Sequence, residues 1–491
     1  MTERLVVSRS NPRYFEPAAS AGSGPAVYLS GSHVNNNFHD GAGPGLDCAD
    51  VPEVFDFGAY LDFLEEHGHN FIRLWRWEHI RSQIPFGEVH LCMSPQPWAR
   101  TGPGNAVDGK PRFDLSHLDQ AYFDRLRSRV EAAGARGIYV SVMLFDGFAL
   151  HLTRTPDNVR GHPFHAGNNI NGVGIGSIRD YQVLPLDPRV QALQEAYLRK
   201  VVDTVGDLPN VLYEVANESS GGGKVDATFA EMLGQAGVPE WGDSTEWQYW
   251  VIEVVRRYEQ ESGHGAHPIG MSMQYPVPDE SMVNEVLFDS PADWISPGFD
   301  EPVATEEFAD TAASGRWLID PPANDGRKVI LSDTDHYSPM QSDALWAWRS
   351  FLRGHNPVLY DLGIFAGPRP SEQSEAAVPY ESLEPARLAM GDTVALARRV
   401  TLIEMEPRGE LASTGYMLAS RTGVEFIVLQ PEARQELTVR LPSGRYELEW
   451  YLVTHRKTVP AGTITVDSVG SVAFTPPGSE PCVLYLKAVS G

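Results

Sequence analysis

The sequence predicts an α/β fold: a (β/α)8 barrel followed by a small antiparallel β-sandwich. Three observations predict it. Strand-like and helix-like runs alternate eight times between residues 26 and 400, the rhythm of a parallel sheet closed into a barrel. The first strand-like run leads into Gly31-Ser-His-Val-Asn-Asn-Asn-Phe. That turn holds neither G-x-G-x-x-G nor a P-loop, which disfavours an open nucleotide-binding sheet. From about residue 401 the pattern changes to short alternating segments separated by Pro-Ser-Gly, Pro-Ala-Gly and Pro-Pro-Gly turns, as in an all-β sandwich.

The expected barrel strands are 26–30, 71–75, 138–144, 211–216, 268–273, 294–296, 328–332 and 357–360. Five helical stripes lie between them. Phe57, Tyr60, Leu61 and Leu64 form the first, which stops at Gly68. Leu118, Tyr122, Leu126 and Val130 form the second, with Ser116 as the expected cap. Val190, Leu193, Tyr197, Leu198, Val201 and Val202 form the third. Trp247, Trp250, Val251, Val254 and Tyr258 form the fourth, and Leu345, Trp348, Phe351 and Leu352 the fifth. Each is a period-3.6 apolar face suited to packing on a sheet. The expected organisation is a lead-in over 1–25, a barrel over 26–400 and a sandwich over 401–491.

The 491 residues carry 39 Lys+Arg against 65 Asp+Glu, a formal charge of −26. A chain this acidic is a poor candidate for a nucleic-acid or anionic-membrane binder, which would need a basic face. No apolar run is long enough to span a bilayer, and the first residues show no secretory signal pattern. Cys48, Cys92 and Cys482 are odd in number and far apart. They suggest neither a metal site nor a disulfide framework, so a reduced, cytoplasmic setting is expected.

Barrel active sites lie at the C-terminal ends of the strands. The polar residues there are His33 and Asn35–Asn37, Arg73, Trp75 and Glu78, Asp146, Asn217 and Glu218, Gln274 and Tyr275, Asp333, Asp335 and His336, and Asp361. A rim of carboxylates, amides and aromatics suits glycosidic bond cleavage. One protonated acid donates to the leaving oxygen, and a second carboxylate attacks the anomeric carbon or activates water. Trp and Tyr faces stack on the apolar faces of sugars. His33, Asn36, Arg73, Trp75, Asp146, Asn217, Gln274, Tyr275 and His336 are therefore candidate substrate contacts. Glu214, four residues before Glu218 on the same strand face, is expected to be a buried partner of Arg73.

Val211-Leu-Tyr-Glu-Val-Ala-Asn-Glu218 closes the fourth strand with Asn-Glu. In that context it resembles the clan A glycoside hydrolases, whose fourth strand ends in this dipeptide. The resemblance implies Glu218 as acid/base and Asn217 as the residue holding the sugar 2-hydroxyl. Arg73, in Ile-Arg-Leu-Trp, resembles the arginine that supports the nucleophile in that clan. The nucleophile should end strand seven, where Lys328-Val-Ile-Leu-Ser-Asp-Thr-Asp-His336 offers Asp in place of Glu. Asp333 is the first candidate by position and Asp335 the second. Gly31-Ser-His-Val-Asn-Asn-Asn-Phe, Asp333-Thr-Asp-His and Phe351-Leu-Arg-Gly-His-Asn-Pro are similar to bacterial cellulase-like, family-5-like barrels. The barrel with a C-terminal β-domain is also similar to apiosidase-type glycosidases.

The expected activity is retaining, exo-acting hydrolysis of small glycosides or oligosaccharides, with a carbohydrate substrate and no cofactor. Two alternatives stay open: a non-hydrolytic carbohydrate-binding barrel, and a metal-dependent hydrolase or lyase using Asp335 and His336 with His33. The long loop from Phe148 to Asp187 is a candidate lid, and Ser219-Ser-Gly-Gly-Gly223 a candidate hinge.

Overall fold

The computed structural model describes all residues except 1, 43–47, 49–53, 84–89, 156, 280–281, 299–315, 338–341, 365–377 and 490–491. Eight parallel strands form the barrel: β1 (Gly31–His33), β2 (Phe71–Leu74), β3 (Tyr139–Asp146), β4 (Val211–Asn217), β5 (Ile269–Ser272), β6 (Trp294–Ser296), β7 (Val329–Asp333) and β8 (Asn356–Tyr360). Pairing runs from β2 through β3 to β8 and on to β1. Between them lie α1 (Phe57–Glu66), α2 (Gln120–Ala135), α3 (Pro188–Val205), α4 (Thr245–Ser262), α5 (Glu285–Asp289), α6 (Arg316–Ile319) and α7 (Ala344–Leu352), and α8 (Glu384–Ala397) follows β8.

The seam between β1 and β2 is closed by amide side chains. Asn70 N–H donates to Ser30 O at 3.0 Å, and Ser30 N–H to Asn70 Oδ1 at 2.9 Å. Farther along, Asn37 Nδ2 donates to Arg73 O at 2.7 Å, and Trp75 N–H to Asn37 Oδ1 at 2.9 Å. The two strands come this close because residue 31 has no side chain; a Cβ there would lie 2.1 Å from the Phe71 carbonyl oxygen. Residues 26–30, expected as strand one, precede the true strand. Val27 N–H donates to Phe15 O at 2.8 Å as an isolated bridge, and the N–H groups of Leu29 and Ser30 go to side chains, Asn356 Oδ1 and Asn70 Oδ1, each at 2.9 Å.

The second helix also starts later than Ser116 suggests. Residues Pro111–Leu118 pair with Trp98–Asn105 as a hairpin, so Ser116 sits in a strand and bonds to Asp114. Asp119, directly before the helix, accepts from Ala121 N–H and caps it. Asp56, Asp187 and Asp343 cap α1, α3 and α7 in the same way, each satisfying a free N–H of the first turn.

The bottom of the barrel is apolar. Phe71, Tyr139, Leu212, Trp294, Val329, Leu331 and Val358 pack together there with Leu5 and Phe15. The last two belong to an antiparallel hairpin, Leu5–Val7 with Phe15–Pro17, which closes this end. Gly270 makes room for the Trp294 ring; a Cβ would lie 2.0 Å from it.

The C-terminal region is a sandwich. Strands β9 (Met405–Pro407), β10 (Met417–Ser420), β11 (Glu425–Gln430), β12 (Leu437–Leu441), β13 (Gly444–Leu452), β14 (Lys457–Val466), β15 (Gly470–Phe474) and β16 (Cys482–Ala488) form a six-stranded sheet, β9-β10-β11-β16-β13-β14, and a two-stranded one, β12-β15. Phe426 and Val428 face the sandwich core, whereas Ile427 and Leu429 on the same strand join the barrel core. Alternation along β11 thus welds the sandwich to the barrel.

Two expectations are corrected. Cys48 and Cys92 form a disulfide, while Cys482 is buried and free. Three widely spaced cysteines hide a pair because loops after β1 and β2 meet in space. Disulfides persist in oxidising compartments, so the cysteines no longer argue for a reducing one. The glycine run after Glu218 is a contact, not a hinge. Gly221 and Gly223 N–H donate to Pro276 O at 3.1 and 3.0 Å, and a Cβ on Gly223 would lie 2.2 Å from the Val277 backbone. The loop from Phe148 to Asp187 is tied down as well. Asn168 Nδ2 donates to Arg160 O and His162 O at 2.7 and 2.8 Å. Among the described residues, no helix is long and apolar enough to cross a membrane.

Candidate active site

Arg73 stands at the centre of the barrel's upper end, 1% exposed. Its Nε and Nη2 bind Glu214 at 2.9 and 2.6 Å, the pairing expected from the sequence. Nη2 also donates to Asn217 Oδ1 at 2.9 Å. Nη1 donates to Asp333 Oδ2 at 2.9 Å and to Asp335 Oδ2 at 3.1 Å. A guanidinium suits this role because its planar fork serves several carboxylates at once.

Both oxygens of Asp333 are committed. Oδ2 takes Arg73 and His33 Nε2, the latter at 2.7 Å, and Oδ1 accepts from Asp335 N–H at 3.0 Å. Trp75 Nε1 donates to His33 Nδ1 at 2.8 Å. An indole N–H only donates, so His33 Nδ1 accepts and its Nε2 carries the proton aimed at Asp333. Burial opposes a charge on Asp333, but His33 and Arg73 outweigh it and hold the carboxyl well below the usual range. Asp333 is thereby a fixed anion that caps the turn Thr334–His336 and sets where Asp335 and His336 point.

Asp335 differs. Its side chain keeps 9% exposure against 1% for Asp333. Burial pushes its pKa up to about 6, with Arg73 pulling the other way and Asp333 adding to the rise. One oxygen of Asp335, one of Glu218 and a ring nitrogen of His336 lie within 4.8 Å of one another. Burial, and then the Asp335 charge, raise the Glu218 carboxyl well above its ordinary value. Burial thus raises both carboxyls, but Asp335, at about 6, still ionises at neutral pH, whereas Glu218 is biased further towards holding its proton. His336 bonds through Nδ1 to Ser296 Oγ at 2.8 Å, and burial with Arg73 lowers its pKa to about 3.

Glu218 has φ 44°, a left-handed backbone that side-chain-bearing residues seldom adopt. Bonds on both sides impose it. Gly147 N–H donates to Asn217 O at 2.7 Å, and Tyr275 N–H to Ser219 O at 3.0 Å. Residue 147 must be glycine, since a Cβ there would lie 2.5 Å from Ser219 Cα.

Asp146 pairs in register with Asn217 and is fully buried. Its Oδ2 accepts from Ala149 N–H at 3.3 Å, while Oδ1 is buried and has no hydrogen-bond partner among the described residues. Burial, then Glu78, raise its carboxyl well above the ordinary value. Glu78 itself bonds to Arg76, His162 and Tyr181.

The structure brings His33, Arg73, Trp75, Asn217, Glu218, Asp333, Asp335 and His336 into one linked group, with Asp146 beside it. Asn36 lies buried on the turn after β1. Gln274 is engaged elsewhere: its amide donates to Ser244 Oγ and Thr245 Oγ1 at 3.2 and 3.0 Å. Tyr275 contributes through its backbone, its carbonyl accepting from His151 at 2.7 Å. Asp361 is structural, held by Arg387 through two bonds of 2.7 Å. Sequence reasoning missed Gly147, Ser296 and Tyr360. Tyr360 ends β8 and packs with Trp75, Trp77, Met93 and Met143. Its place as the last strand residue before Asp361 was the available signal.

No family model and no curated protein matches this sequence. Solved structures do match in fold. A glycoside hydrolase family 5 protein from Bacteroides vulgatus is 13% identical with a TM-score of 0.57, over 99% of this chain and 93% of that one. A second, described as a glycoside hydrolase, is also 13% identical with a TM-score of 0.57, over 100% of this chain and 98% of that one. The likeness is one of fold, and it spans the barrel and the β-domain alike.

Proposed function

We propose that the protein is a retaining glycoside hydrolase, exo-acting on small glycosides or oligosaccharides. The observation that carries this is the Glu218–Asp335 pair, with oxygens within 4.8 Å at the ends of β4 and β7. Retaining enzymes hold their carboxyls about 5–5.5 Å apart, closer than inverting ones. Glu218, kept protonated by burial and by the neighbouring charge, donates to the glycosidic oxygen. Asp335, ionised above about 6, attacks the anomeric carbon and forms a glycosyl-enzyme. Glu218, now a carboxylate, takes a proton from water, and that water releases the sugar.

Of the two strand-seven candidates, Asp335 is favoured as nucleophile. Asp333 has no oxygen to spare, whereas Asp335 uses one oxygen on Arg73 and keeps a second. Asn217 points its oxygen at Arg73, which leaves its amide nitrogen for a sugar hydroxyl. The wall of Trp75 and Tyr360 offers an aromatic face beside the carboxyls.

The test is a panel of chromogenic pyranosides and furanosides, α and β, with NMR of the first-formed anomer. Glu218→Ala and Asp335→Ala abolishing turnover, with retention in the wild type, supports the reading. Unchanged turnover in both variants refutes it.

A second reading has its own observation: Glu218, Asp335 and His336 could ligate a cation. Arg73, 3.1 Å from Asp335, opposes a second positive charge there. Activity that survives a strong chelator removes this alternative.

A further inference from the structure

We propose that His151 and Gln182, near the two ends of the long loop after β3, are positioning residues that hold Glu218 through its backbone; this rests on the glycosidase reading above, in which Glu218 is the acid/base. Glu218 has φ 44°, and a strained residue persists only where its surroundings over-determine it. Its neighbours on either side each accept one backbone bond, Asn217 O from Gly147 N–H and Ser219 O from Tyr275 N–H. The two donor segments are themselves fixed by side chains of this loop. Gln182 Nε2 donates to Asp146 O at 3.2 Å, the carbonyl of the same peptide unit that supplies the Gly147 N–H. Its Oε1 accepts from Ser219 Oγ at 2.9 Å. Gln182 thus joins the end of β3 to the residue after Glu218.

His151 spans the other gap. Its Nε2 lies 2.7 Å from Tyr275 O and its Nδ1 2.7 Å from Gly147 O. A carbonyl oxygen only accepts; the neutral ring, which burial favours, donates to Tyr275 and rests against Gly147. The ring meets Trp241 edge-on, with centroids 4.9 Å apart. It stands on the helical turn Phe148–His151, which continues directly from Gly147. His151 and Gln182 are both fully buried. Burying such polar groups costs free energy unless their bonds are made, and here those bonds lie on both sides of Glu218. A general acid must bring its proton within hydrogen-bond reach of the leaving oxygen, and a misplacement near 1 Å costs about 100-fold in rate. The loop thereby frames the acid.

The experiment compares kcat/KM for the phenyl and the 2,4-dinitrophenyl glycoside of the sugar turned over in the chromogenic panel. Phenolate leaves poorly and needs the proton from Glu218, whereas 2,4-dinitrophenolate leaves unaided. His151→Phe and Gln182→Met keep the bulk of each side chain and remove its bonds. Both should lower kcat/KM for the phenyl glycoside, His151→Phe by about 100-fold, with the dinitrophenyl glycoside nearly unaffected. His151→Gln, whose amide N–H can reach Tyr275 O, should recover most of the loss. A merely structural defect lowers both substrates alike; that result, or no loss on either, overturns the proposal. Glu218→Ala is the reference: if it shows no split between the leaving groups, the acid/base reading falls instead. Hydrogen exchange read by mass spectrometry decides without chemistry. Exchange at Gly147 and Tyr275 should rise in His151→Phe, and at Gly147 in Gln182→Met should the first variant fail to fold, while β11 of the sandwich is unchanged. Unaltered exchange at these amides overturns the proposal, and does so even if no glycoside of any kind is hydrolysed.

Discussion

The two ends of one barrel are built on opposite principles. At the bottom, Phe71, Leu212, Trp294, Val329 and Val358 fill the interior with apolar side chains under the N-terminal hairpin. At the top, a few residues along the same strands, Arg73, Glu214, Asn217 and Asp333 are equally buried but charged or polar. Burying apolar surface stabilises, whereas burying ions costs unless each is paired. One end therefore carries stability, and the other holds the candidate site at some expense of stability. The strain at Glu218, with φ 44°, belongs to the same trade.

Substitutions at each end can break or sharpen this contrast. The largest effect is expected at Glu218 and Asp335. Replacing either by Ala should lower kcat by about 10³-fold, within the range for loss of a general acid or base. Thermal melting of both variants should stay near or above the wild type, because each removes a buried carboxyl. A large drop in melting temperature would blur the division.

Arg73→Met should damage both properties. It leaves Glu214 and Asp333 without their cation and should cost about 3–5 kcal/mol, typical of a broken buried pair. Denaturant unfolding checks it. Trp294→Ala, at the opposite end, should cost a similar 3–5 kcal/mol through the cavity it leaves. Yet kcat per folded molecule should be unchanged, which active-site titration with an irreversible inhibitor would read. A matching loss of kcat would show that the bottom layer positions the chemistry.

Gly147→Ala is a smaller and subtler change. Its Cβ meets Ser219 Cα and should displace Glu218. A shift near 1 Å costs about 100-fold in rate, with KM little altered. Steady-state kinetics at saturating substrate would detect it.

The smallest effect is the pH dependence. Asp335 must be ionised to attack, and its pKa is raised to about 6. Activity should fall about tenfold per pH unit below 6, because protonated Asp335 accumulates there. Glu218 must be protonated to donate, and burial raises its carboxyl well above the ordinary value, so the limb on which activity is lost by its ionisation should move to higher pH than for a free carboxyl. An acid limb near 4, the ordinary range for a carboxylate, would contradict the environment assigned to Asp335.

Much of this was readable from residue order. Hydrophobic period placed seven barrel strands within two residues of their bounds, and the Asn217-Glu218 ending pointed to the end of β4, where the candidate site gathers. The Glu214–Arg73 pair followed from strand alternation. Strand one escaped because side chains of Asn70 and Asn356 take the place of a ladder, which no periodicity reports. The Cys48–Cys92 bridge escaped because loop proximity is a tertiary fact. Gly147 and the Gly221–Gly223 run were hidden for a related reason: a glycine needed for close approach looks, in sequence, like a glycine needed for flexibility. The proposed choice of Asp335 over Asp333 rests on which oxygens are already taken, and only three-dimensional bonding shows that.

The central claim is that Asp335 is the attacking carboxylate while Asp333 holds it in place. An activated 2-deoxy-2-fluoro glycoside, of the configuration found in the chromogenic panel, traps a glycosyl-enzyme in a retaining hydrolase. Peptide mass spectrometry then locates the sugar. The account predicts one covalent label on Asp335, absent from Asp335→Ala. A label on Asp333, or time-dependent turnover with no label, would contradict it.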